Sequence, residues 1–180
     1  MSHVIMAKTK QGEPLITCLE SVKLAAKNLG LEVHERSTYH WYGRSVGDWK
    51  IPEGWTAADM GRNAVLVLSA GPDCRKKHGM HSAYEMAIIP DKKNPGAYTV
   101  MYDFYGPGRE LEKVIGKPVV DYRTQEAEAV APEFVKHYRM CADALSAAEL
   151  GEEITFEQEA DGSWTSYTVP NETRMRESGY

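Results

Sequence analysis

A chain of 180 residues, 42% of them hydrophobic, has room for a real core, and one α+β domain over residues 1–169 is the simplest organisation. The formal charge of −5 argues against general nucleic-acid binding, which calls for a basic balance. Three cysteines are too few for a disulfide framework, and no apolar run approaches the ~20 residues that cross a bilayer, so no membrane insertion is expected.

The opening "MSHVIMAKTK" lacks the apolar core and cleavage site of a signal peptide, and a cytoplasmic location is expected. Val4, Ile5 and Met6 predict a first strand. Pro14 suits the first turn of a helix, and Leu15, Cys18, Leu19, Val22, Ala26 and Leu29 recur at three- and four-residue steps before Gly30. Cys18 then reads as a small core residue of that helix, as Cys141 does further on. "LEVHE" alternates and predicts a second strand. Residues 37–63 are rich in aromatics and glycines and show no period that assigns an element.

"AVLVLSA" (64–70), "AYEMAII" (83–89) and "AYTVMYDFYG" (97–106) are apolar strands, the last two joined by a turn over 90–96. Between the first two, Gly71, Pro72 and Gly79 mark residues 71–82 as a loop. "ELEKVIG" predicts a short helix or a turn, and Phe134, Tyr138, Cys141, Leu145 and Ala148 stripe a longer helix from about Pro132 to Glu149. "EITFEQEADGSWTSYTV" predicts a hairpin around Asp161-Gly162, and residues 170–180 form a polar, flexible tail. The fold class is α+β: an antiparallel sheet with two main helices, most simply packed on one face.

In order along the chain, "MSHVIMAKT", "LAAKNLGLEV", "YEMAI", "YTVMYDFYG" and "HYRMCADALSAAELGEEITFEQEADGSWT" resemble the uncharacterised family of the plastid hypothetical reading frame thirty-five. Similar proteins occur in plastids, cyanobacteria, other bacteria and bacteriophages, often encoded near an ATPase or a small ferredoxin-like protein. The resemblance implies an accessory role and carries no catalytic residue. Compact members pass quickly between the strands matching "AVLVLSA" and "AYEMAII", so residues 71–82 are an elaboration here.

That connection holds "CRKKHGMH", the densest chemistry in the chain. In a regular helix Cys74 and His81 would stand about 10.5 Å apart along the axis, too far to share one zinc ion. No fourth ligand or Cys-x-x-Cys pair supports a metal site, and none is expected. Arg75, Lys76, Lys77 and His78 could instead grip a phosphate, with Arg75 bidentate. Tyr39, Trp41, Tyr42 and Trp55 would then supply flat faces for a base, if folding brings them near. Against this, no phosphate-loop motif is present, and a solvated basic tip explains the same residues. Glu85 and Asp103 interrupt apolar strands and would face each other across a hairpin; a catalytic dyad and two separately satisfied carboxylates are the alternatives.

No catalytic residue and no cofactor is expected. The leading expectation is a non-enzymatic accessory or binding domain acting through a protein partner, with homo-oligomerisation left open. The alternative is a binding module for a nucleotide or other phosphorylated ligand, in the manner of a phage protein that sequesters a host signal.

Overall fold

The computed structural model describes residues 4–6, 15–41, 51–160 and 164–170. Five strands form an antiparallel sheet: β1 (Val4–Met6), β2 (Leu31–His34), β3 (Leu66–Ala70), β4 (Met86–Pro90) and β5 (Tyr98–Asp103), in the spatial order β1-β5-β4-β3-β2. Two further hairpins pair β6 (Val119–Asp121) with β7 (Glu126–Ala129) and β8 (Glu152–Gln158) with β9 (Trp164–Pro170). Among the described residues the helices are α1 (Leu19–Asn28), α2 (Pro72–His78), α3 (Gly108–Ile115) and α4 (Pro132–Leu150). This is the α+β class that the sequence predicts. None of these helices is long and apolar enough to cross a membrane.

The central strands read as apolar runs because both of their faces are covered. Met86 to Ile89 and Thr99 to Asp103 are all buried. The register sets Ala87 against Met101 and Ile88 against Val100, so neighbouring pairs point to opposite faces. Tyr39 lies on the Met101 face, its hydroxyl 3.2 Å from the Met101 sulfur. At the β2 edge the pattern alternates: Leu31 is buried, while His34 bonds Ser69 across the ladder at 2.8 Å.

α1 and α4, the two main helices, pack against each other. Tyr138 of α4 accepts the Thr17 and Cys18 N–H groups at 2.9 and 3.3 Å, and Asn28 at the far end of α1 donates to Cys141 Sγ at 3.5 Å. α1 is shorter than its apolar spacing predicts. Ile16 makes an antiparallel bridge to Tyr98, with N–H···O distances of 3.1 and 2.8 Å, so the chain is still extended there. Cys18 is therefore not inside the helix: it is the N-cap, extended and half-buried. Pro14 lies outside the described residues.

On α4 the predicted stripe holds at Phe134, Tyr138 and Cys141, all buried, but ends differently. Ala147 is buried and Ala148 exposed. The cause is the reversal at Gly151 (φ +77), which folds β8 back along α4 and covers a second face. Lys136 lies on that face, its Nζ 5.1 Å above the Trp164 ring. The β8–β9 hairpin is present with Gln158 opposite Trp164; its expected turn residues Asp161 and Gly162, like the 171–180 tail, lie outside the described residues.

Candidate functional site

The first five residues of the basic octapeptide, Cys74 to His78, are helical rather than part of the expected loop. α2 begins at Pro72, where a missing N–H is harmless, and ends at Gly79, which takes a left-handed φ of +59. The proline and glycine that suggested a loop are the two ends of a seven-residue helix. Cys74 turns inward, only 6% exposed, and burial pushes its thiol pKa up. Arg75 and His78 are half-buried, and Lys76 and Lys77 are exposed.

These cations sit in the last turn, where the helix dipole favours positive charge. Among the described residues, Arg75, Lys76 and Lys77 make no ion pair. Lys113 of α3 joins them from below, donating to the Gly79 carbonyl at 2.9 Å. Glu110, also on α3, accepts the His81 and Ser82 N–H groups at 2.8 and 2.9 Å, and the Ser82 N–H foremost holds its carboxyl below the usual range. Neither Glu110 nor Lys113 could be linked to α2 from the sequence, because a whole hairpin separates them.

The predicted stacking residues have other work. Tyr39 is buried against Met101, and burial pushes its phenol up to about 12. Trp55 is buried too, with Lys92 Nζ 4.1 Å over its ring. Trp41 lies against Gly61 so closely that an added Cβ there would come within 2.4 Å of its Nε1. Tyr39 and Trp55 are part of the buried core and Trp41 packs against it, so neither Tyr39 nor Trp55 offers a free face for a base. Tyr42 lies outside the described residues.

The two carboxylates are separately satisfied. β4 starts at Met86, so Glu85 falls just outside the ladder. Its oxygens meet the Arg36 guanidinium at 2.5 Å and the His40 N–H at 2.6 Å. Asp103 is fully buried and accepts the Tyr105 N–H at 3.1 Å. Among the described residues, no three His, Cys, Asp or Glu side chains gather as a metal-binding group.

The C-terminal hairpin presents a different surface. Its register pairs Glu153 with Val169, Thr155 with Tyr167 and Glu157 with Thr165. Pleating puts Glu153, Thr155, Glu157, Thr165 and Tyr167 on one face, away from the Ile154 and Phe156 side that meets α4. Tyr167 is 47% exposed, flanked diagonally by two exposed glutamates. Among the described residues neither β8 nor β9 pairs with a third strand, so both are edge strands there.

Comparison with family models, curated proteins and solved structures finds no match to this chain.

Proposed function

We propose that this chain is a non-enzymatic binding domain that acts through a protein partner, and that the partner docks on the β8–β9 hairpin. The observation that carries this reading is the hairpin's outer face, where exposed Tyr167 lies between Glu153 and Glu157 beside open strand edges. An extended basic segment suits it: main-chain groups add to the edge, an arginine stacks on Tyr167, and the glutamates pair with its charge. The resemblance to the plastid reading-frame family supports the same accessory role, and membership in that family is part of the proposal.

The second reading is a phosphorylated ligand held by Arg75, Lys76 and Lys77. It is favoured by their lack of ion pairs among the described residues and weakened by the burial of Tyr39 and Trp55. One experiment separates the two. Tagged wild type, a Glu153→Lys/Glu157→Lys/Tyr167→Ala variant and an Arg75→Ala/Lys76→Ala/Lys77→Ala variant are used as baits in parallel. A partner retained by wild type and the α2 variant but lost by the hairpin variant supports docking there. Equal capture by the hairpin variant sinks it, and loss with the α2 variant alone favours the phosphate reading.

A further inference from the structure

β9 is the outer strand of the C-terminal hairpin. β8 lies along α4, while Trp164, Ser166, Tyr167 and Thr168 are exposed, and they represent both faces of β9. Among the described residues β9 has a neighbouring strand on one side only. A two-stranded hairpin is marginal in water, and further strands stabilise it. Natural edge strands are ordinarily guarded by charge, lysine above all. From Trp164 to Pro170 there is no Asp, Glu, Lys or Arg, and Trp, Tyr, Thr and Val, all good strand formers, dominate.

Charge and pattern together choose the occupant of this edge. If two copies of β8 paired about their midpoint, Thr155, Glu153 of each would face Glu157 of the other. Like charges directly opposite destabilise a ladder, so β8 rejects its own copy. β9 instead reads nearly the same in both directions about its midpoint, Tyr167. Antiparallel pairing with a second β9 sets Tyr167 opposite Tyr167, Ser166 opposite Thr168 and Thr165 opposite Val169. These are an aromatic pair, a hydroxyl pair and a pair of β-branched residue types, all of them favourable in a sheet. Pro170, which cannot donate to a ladder, falls at its last position. The glutamates do not oppose the arrangement. The two β8 strands would lie three strand spacings apart, about 14 Å, beyond the ~8 Å screening length of physiological salt.

We propose that β9 is a homodimerisation edge: two copies join β9 to β9 about a two-fold axis at Tyr167, giving a four-stranded sheet β8-β9-β9-β8. The contact uses the same residues of both copies, so it closes into dimers and builds no filament. One seven-residue ladder is a small interface, and the dimer is accordingly weak and concentration-dependent. It sets two Tyr167 rings side by side on the outer face, between the glutamates of both copies. β8 remains the outer edge of the joined sheet.

The test is sedimentation equilibrium of the full chain over a range of concentrations, with circular dichroism reporting the fold. Wild type should pass from monomer to dimer as concentration rises. Ser166→Lys/Thr168→Lys changes two exposed residues and places lysine opposite lysine twice. Its dissociation constant should be about tenfold higher or more. Mixing it with Ser166→Glu/Thr168→Glu should restore a dimer of one copy of each, which misfolding of either variant could not do. Tyr167→Cys should oxidise to a disulfide joining the two copies at that position, located by peptide mapping, because opposed Cα atoms stand ~4.5–5.5 Å apart.

A wild type that stays monomeric overturns the proposal and leaves the edge to a different chain. A dimer that the lysine variant leaves intact overturns it too, as do folded charge variants that fail to combine. No partner protein enters these measurements, so their outcome is independent of the docking reading above.

Discussion

Arg36 and Glu85 form an ion pair, Nη2 to Oε1 2.5 Å, that ties the chain leaving β2 to the chain entering β4. The bond is reinforced through the backbone: Glu85 accepts the His40 N–H and returns its own N–H to the His40 carbonyl at 3.0 Å. Arg36 also donates to the Thr38 carbonyl. The Glu85 side chain is 15% exposed and that of Arg36 38%, so water reaches part of the pair. Glu85→Ala is expected to cost about 0.5–1.5 kcal/mol in urea denaturation, the net worth of an ordinary hydrogen bond. A double-mutant cycle with Arg36→Ala should show coupling, because both single changes break the same contact.

Gly108 opens α3 directly beneath the end of β5. A Cβ there would stand 1.6 Å from the Asp103 carbonyl oxygen, a backbone atom held in the sheet. Gly108→Ala should therefore lose about 3 kcal/mol or more, at the upper end of overpacking costs. Gly79→Ala is the control: its Cβ meets open space, and only the left-handed φ of +59 opposes it. That change should cost about 1–2 kcal/mol. Urea unfolding of the two variants checks the ranking.

Tyr138→Phe removes the acceptor for two backbone donors at once. Thr17 and Cys18 N–H lose their partner at the start of α1, and about 1–3 kcal/mol of stability should go with it. Hydrogen exchange should accelerate at residues 17 and 18 more than at the buried positions of α4. Uniform acceleration across both helices would mean that the hydroxyl is not what anchors this segment.

Glu110 makes the connection after α2 sensitive to acid. Its carboxyl accepts the Ser82 and His81 N–H groups, so its pKa in the folded chain lies below the ordinary 4.5. Its contribution is complete above that ordinary value and disappears as pH falls through the lower folded-state value. The stability difference between wild type and Glu110→Gln, measured against pH, should shrink over this acidic range. A difference that grows on acidification would contradict the assignment.

Much of this architecture is legible in the sequence, and the failures have physical causes. β3, β4 and β5 stand out because burial on both faces makes them unbroken apolar runs. α4 is long enough to show its period, while the seven residues of α2 are not. There the end signals were readable, but proline and glycine mark loops as readily as helix ends. The β6–β7 hairpin escaped notice because its strands are only three and four residues long and its register shifts between Val119 and Val120. The site divides similarly. Arg75 to His78 are together because they are neighbours in the chain, whereas the use of Tyr39 and Trp55 depends on the packing of a segment without periodicity. Cys18 looked like a core residue because its spacing fits the α1 stripe. Only the bridge from Ile16 to Tyr98 shows that the helix has not yet begun.

The order β1-β5-β4-β3-β2 also sets a timetable for synthesis. β2 to β5 follow one another as antiparallel neighbours, so they can assemble in the order in which they are made. β1 is translated first, yet its partner is the last strand of the sheet, with Val4 opposite Asp103. A nascent chain must carry that segment unpaired until β5 has left the ribosome, and closing so long a span is slow compared with the local pairings before it. The β1 segment is thus among the last of the sheet to be placed, and it is where a co-translational chaperone would have the longest opportunity to bind.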